Sequence, residues 1–132
     1  TIPSSVKEIR DGVFKGCSSL TEVSFQNPSS VTLIGNGVFS RCKSLKKIAI
    51  PSSLESIGAF AFRNCLSLTE ILIPSSVAFI GRSCFCGCSS LLQITICSLH
   101  AKIGDNCFNG CSSLTQLSIP FSYNKKKLGI NS

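Results

Sequence analysis

Residues 45–91 read LKKIAIPSSLESIGAFAFRNCLSLTEILIPSSVAFIGRSCFCGCSSL, two passes through one 23-residue phrase: L-x-x-I-x-I-P-S-S-[LV]-x-x-I-G-x-x-[AC]-F-x-x-C-x-x-L. Outward from this stretch the same phases recur. Phe14, Phe39, Phe62, Phe85 and Phe108 are separated by 25, 23, 23 and 23 residues, and Cys17, Cys42, Cys65, Cys88 and Cys111 keep the same steps. Leu20, Leu45, Leu68, Leu91 and Leu114 follow three residues behind each cysteine. Val23, Ile48, Ile71, Ile94 and Leu117 come next, and then Phe25, Ile50, Ile73, Ile96 and Ile119. The one long step holds Gln26 and Asn27 ahead of Pro28, at a turn, where a loop tolerates insertion.

The phrase converts into local structure by elementary rules. Its I-x-I end alternates and is rich in β-branched residues, which predicts a short strand with its apolar side inward. Pro3, Pro28, Pro51 and Pro74 end that strand, because proline brings no ladder donor. A second extended piece carries Val6 and Ile9, Val31 and Ile34, Leu54 and Ile57, or Val77 and Ile80. Gly35, Gly58, Gly81 and Gly104 then suit a tight bend or a positive φ. The V/A/C-F-x-x-C segment spaces its apolar groups as one to two helical turns, closed by a left-handed Gly16, Asn64, Gly87 or Gly110, with Arg41 the exception. One unit cannot bury its own apolar stripe. The units must stack, strand beside parallel strand at about 4.8 Å, with Phe over Phe and Cys over Cys. A fixed period in the twenties with an L-x-x-I-x-I core marks an α/β repeat: a leucine-rich-repeat solenoid with parallel short strands and short helical turns.

The composite motif resembles the 23-residue repeats of BspA-like, or Treponema-type, leucine-rich-repeat surface proteins over about residues 1–120. The resemblance implies a secreted or surface-displayed adhesion module that binds host or matrix proteins, with no enzymatic activity and no cofactor. It supplies no site motif to transfer. Five units are expected over residues 1–123 and a basic tail over residues 124–132, since Tyr123 and Lys126 fall where Val and Ile should be. Thr1 and Ile2 match the strand end of a preceding unit, as Ala49 and Ile50 do before Pro51, so the chain reads as an excerpt from a longer array. In the fifth unit Cys97 replaces the turn proline and His100 takes the aliphatic position, predicting a distorted junction with the fourth.

Composition limits the functional classes. With 43% hydrophobic and 14% charged residues the chain is too apolar for disorder. No run reaches the roughly 20 apolar residues of a membrane helix, which argues against an integral membrane segment. The net charge of +7 invites a nucleic-acid reading through Lys125, Lys126, Lys127 and the scattered Arg41, Lys43, Arg63 and Arg82. Interspersed acids and inward-phased phenylalanines argue against it. Nine cysteines are too many to ignore. The five in phase point in parallel from adjacent coils, further apart at Cβ than a disulfide allows, and read as buried free thiols acting as small hydrophobes. Cys84 and Cys107 share the phase of Val13, Val38 and Ala61, which makes them core. Cys86 is expected to be exposed, and C-x-C-x-C fits no structural zinc pattern. His100 has no carboxylate or orienting partner at repeat-consistent spacing, so no nucleophilic site is expected.

Binding remains. Residues between the inward strand positions should form an outward row: Glu22 and Ser24, Lys47 and Ala49, Glu70 and Leu72, Gln93 and Thr95, Gln116 and Ser118. Such a strand-side platform suits a protein or glycoprotein ligand at the cell surface. A structural spacer, or a cytoplasmic protein-interaction scaffold with no ligand on this segment, is the alternative.

Overall fold

The computed structural model describes residues 1–130. Ten short strands run in chain order: β1 (Glu8–Ile9), β2 (Glu22–Val23), β3 (Leu33–Ile34), β4 (Lys47–Ile48), β5 (Ser56–Ile57), β6 (Glu70–Ile73), β7 (Phe79–Ile80), β8 (Gln93–Ile96), β9 (Lys102–Ile103) and β10 (Gln116–Ser118). Odd strands form one parallel sheet in the order β1-β3-β5-β7-β9. Even strands form the other side as two parallel groups, β2-β4 and β6-β8-β10. Each strand pairs with its equivalent one coil away, as in Ile34 with Ile57 and Ile71 with Ile94, so the chain winds as a solenoid. Ile2 makes a parallel bridge to Phe25, continuing the even side by one residue beyond β2.

The inward files stack as the spacing predicts. Phe39, Phe62 and Phe85 are fully buried, and successive ring centroids from Phe14 to Phe108 lie 5.3 to 5.8 Å apart with nearly parallel planes. Leu45, Leu68 and Leu91 form a second file, and Val23, Ile48, Ile71 and Ile94 a third, all in one continuous core.

The expected helical turns are not formed; among the described residues there is no helix. The F-x-x-C segments are successive turns, because alternate amides are committed elsewhere. Gly37, Phe39 and Arg41 donate to the carbonyls of Ala59, Ala61 and Arg63 on the next coil. Ser40, Cys42 and Leu45 close i→i−3 turns onto Gly37, Phe39 and Cys42. Every second N–H is thus taken by the neighbouring coil, and no i→i−4 series can form. Two left-handed residues per turn also oppose a helix. Arg41 (φ 61°) is one of them despite carrying a side chain, and so is Phe60 (φ 60°).

Of the two reasons expected for glycine after the odd strand, a tight bend or a positive φ, the positive φ is not taken up. Gly58, Gly81 and Gly104 allow close approach of backbones: a Cβ on Gly81 would fall on the amide nitrogen of Ala59. Gly81→Ala is expected to cost about 1–3 kcal/mol as overpacking, read from the urea midpoint. Gly12→Ala should cost only about 1 kcal/mol, since Gly12 (φ 69°) has nothing within 4 Å of its missing Cβ and pays for the left-handed backbone alone.

The fourth and fifth coils do meet irregularly. His100 is exposed instead of filling the aliphatic position, and Ala101 turns inward in its place. The cross-coil amide bond shifts by one residue: Lys102 donates to Ala78, where Ala78 itself donates to Glu55. The odd sheet recovers register at once, with Lys102 opposite Phe79. Beyond Pro120, Leu128 is buried against the core and its carbonyl accepts the Phe108 amide, the bond that Cys107 makes to Phe85 one coil earlier.

Candidate functional site

The outward residues of the even strands lie on one side, as their alternation requires. Glu22, Lys47, Ala49, Glu70, Leu72, Gln116 and Ser118 are exposed, and Ser24, Gln93 and Thr95 are half-buried. Register brings them into files: Glu22 beside Lys47, Glu70 beside Gln93 beside Gln116, and Leu72 beside Thr95 beside Ser118. Sequence reasoning missed an interruption in this face. The ladder stops between β4 and β6, and an open hollow of about 270 Å³ lies there, lined by Lys47, Ala49, Glu70, Leu72, Gln93 and Thr95 over the backs of Ile48 and Ile71. Leu72, more than half exposed, stands at its edge.

The cysteine file explains itself locally. Each thiol reaches across to the preceding coil: Cys42 Sγ donates to the Phe14 carbonyl at 3.2 Å, Cys65 to Phe39 at 3.2 Å, Cys88 to Phe62 at 3.0 Å and Cys111 to Phe85 at 3.1 Å. A small apolar side chain with one weak donor fits a site that offers a carbonyl in a dry wall. Burial pushes the Cys42, Cys84 and Cys111 thiols up, and for Cys88 the neighbouring Cys65 thiol and then burial do so. All nine cysteines are free. Cys97 is the exposed one, and Cys86, expected in that position, is half-buried. Among the described residues no three His, Cys, Asp or Glu side chains are placed to hold a metal ion. No helix of the described residues is long and apolar enough to cross a membrane.

Cations that look scattered in sequence recur in the runs of turns that follow the odd strands. Arg41 and Arg63 lie inside the F-x-x-C segments of coils two and three, as Lys15 does in coil one, whereas Arg82 opens the turn run of coil four three residues before Phe85 and Lys43 follows Cys42 in coil two. The Arg63 and Arg82 guanidinium carbons both lie over the Phe60 ring, 5.6 and 5.5 Å from its centroid.

Three solved structures share this architecture. A T. pallidum leucine-rich repeat protein, TpLRR, is 31% identical with a TM-score of 0.74, over 86% of this chain and 63% of that one. A leucine-rich cell surface protein from Faecalibacterium prausnitzii A2-165 is 30% identical with a TM-score of 0.83, over 99% of this chain and 34% of that one. The pneumococcal vaccine antigen PcpA is 26% identical with a TM-score of 0.74, over 95% of this chain and 32% of that one. The chain thus spans less than two thirds of each of these proteins. Comparison with curated proteins finds no match. The model of the BspA type leucine-rich repeat region matches six copies across residues 7–129. With the phased Phe, Cys, Leu and Pro files and the parallel coils already in view, the chain belongs to the BspA-type leucine-rich repeat family.

Proposed function

We propose that this solenoid is a ligand-binding segment of a surface-displayed adhesin and engages a protein or glycoprotein through its even-strand face. The observation that carries the reading is the hollow between β4 and β6, where Leu72 is held exposed among Lys47, Glu70 and Thr95. A partly apolar depression rimmed by one cation and one anion has the make-up of an interface centre, with the flat polar files around it serving as rim. Two of the similar proteins agree in kind: one is a leucine-rich cell surface protein and another a vaccine antigen. The Pro-Ser-Ser turns and inward files hold this face in place.

Leu72→Lys combined with Thr95→Glu is expected to weaken capture of purified extracellular-matrix glycoproteins by the immobilised chain at least about tenfold, the usual scale for a central interface residue. Both side chains point to solvent, so the unfolding midpoint should hold. Failure of the unaltered chain to retain any of these glycoproteins, or equal retention by the double variant, would remove the even-strand face as the site.

A further inference from the structure

The turn side carries a separation of charge that the platform does not. The six acids are Glu8, Asp11, Glu22, Glu55, Glu70 and Asp105. Glu22 and Glu70 are on the even strands, and Glu8 and Glu55 lie on or beside the odd strands. Only Asp11 and Asp105 belong to the turns, on the first and fifth coils. Asp11 accepts the Asn36 amide at 2.8 Å, and Asp105 pairs with Lys127 at 3.8 Å. Between them, coils two to four present Arg41, Lys43, Arg63 and Arg82, all exposed. Among the described residues the ion pairs are Arg10–Glu8 and Lys127–Asp105, so none of these four cations is neutralised by the chain's own acids.

Phe60 gives this face a second feature. It occupies the left-handed turn position held by Gly12, Gly37, Ser83 and Asn106 on the other coils. Glycine and asparagine tolerate that backbone, whereas for phenylalanine it costs roughly 1–2 kcal/mol. The strained ring underlies two guanidiniums from adjacent coils and so fixes where their charges sit. Beside it an open hollow of about 350 Å³ is lined by Asp11, Lys15, Asn36, Ser40, Phe60 and Arg63.

From this geometry we infer that the turn face of coils one to four binds a linear acidic polysaccharide, with Arg41, Arg63 and Arg82 contacting its sulfates or carboxylates and Phe60 positioning the last two. The arginines lie on three successive coils, each rising about 4.8 Å, and their different places in the repeat offset them sideways as well. A pyranose is about as long as that rise, so a chain with anions on successive sugars meets successive cations. Single-stranded nucleic acid suits the face less well: base stacking needs a free aromatic surface, and guanidiniums already cover this ring. This surface is distinct from the even-strand platform and can be tested apart from it.

Heparin, polygalacturonate and duplex DNA, each titrated against the full chain by calorimetry at two salt concentrations, give the test. Heparin carries sulfates beside its carboxylates and polygalacturonate one carboxylate on every sugar and no sulfate, so the two separate the sources of charge. Binding to either is expected, falling about ten- to a hundredfold between 50 and 200 mM salt, as a few released counterions require. R41Q/R63Q/R82Q should weaken it by a further tenfold or so, and Phe60→Asn, which restores a residue at home in that backbone, about threefold. Leu72→Lys with Thr95→Glu, on the platform, should leave it unchanged. No binding to either polysaccharide, tighter binding to DNA, or an equal loss from K125Q/K126Q/K127Q would overturn the assignment. Unchanged affinity in Phe60→Asn would overturn the part given to the ring.

Discussion

Phe62→Ala is expected to remove about 3–5 kcal/mol of stability, the range for excising a fully buried aromatic from a core that cannot close over the gap. Phe62 is the central ring of the file, with its centroid 5.4 Å from that of Phe39 and 5.3 Å from that of Phe85. Both neighbours are pinned by their own cross-coil amide bonds, Phe39 to Ala61 and Phe85 to Cys107, so neither can slide inward. Each lost ring contact adds about 0.5–1.5 kcal/mol to the area term. Phe14 supplies the comparison: it is half-buried at the end of the file and touches one ring, so Phe14→Ala should cost less than half as much. Urea unfolding of the two variants measures the difference, and equal losses would mean that the file is not a continuous stack. Because each coil rests only on its neighbours, the central substitution should also lower the slope of the transition by dividing the array.

Alkaline pH is expected to unfold the chain through its buried thiols. The Cys42, Cys84, Cys88 and Cys111 thiols are all pushed up in the folded protein. In the unfolded chain they titrate near 8.5. Above that pH the unfolded chain releases protons that the folded chain retains, so deprotonation favours unfolding. The stabilisation is complete below about pH 8.5 and is lost as pH rises. Each thiol withdraws about 1.4 kcal/mol per pH unit once the slope is established. Cys84, Cys88 and Cys111, the most strongly shifted, together remove on the order of 4 kcal/mol by pH 9.5, a large part of the whole stability of many domains. Urea midpoints between pH 8 and 10.5 report the slope. Cys84→Ala is a mild change, because Ala61 fills the same position one coil earlier, and it should flatten the slope by about 1.4 kcal/mol per pH unit. An unaltered slope would assign the alkaline loss to other groups.

The coil and its inward files are legible in the sequence because burial acts on residue type at a fixed phase, and five repetitions average out local exceptions. What a turn does with its amides is not legible in this way. The F-x-x-C spacing suits one turn of helix as well as a turn bonded to the next coil, and only the neighbouring carbonyls of Ala59, Ala61 and Arg63 decide between them. Glycine misled for a related reason. Its recurrence in Gly58, Gly81 and Gly104 announces a constraint without saying whether that constraint is torsion or contact, while the left-handed torsion falls at other phases, on Gly16, Asn64, Gly87 and Gly110 as their places in the turn imply and on Arg41 and Phe60 besides. Strict counting puts His100 inward, but Ala101 takes that place, with the amide bond to the Ala78 carbonyl coming from Lys102 and the strand still in register. The outward row from Glu22 to Ser118 follows from alternation alone. The break beside Leu72 does not, because Lys47 and Glu70 carry no sign that their ladder is interrupted. The gathering of Arg41, Arg63 and Arg82 was hidden because they occupy three different phases of the repeat, which fall within the runs of turns only once those turns are drawn.

The in-register pairing of each strand with its counterpart one coil away makes the molecule a ruler graduated in single windings. An extra winding spliced into such an array would find on each flank the same surfaces its neighbours already offer one another, and would lengthen the body by one increment while disturbing nothing beyond the two joints. Reach is therefore a quantity that duplication or loss of a gene segment can adjust in fixed steps, independently of whatever chemistry the individual windings display.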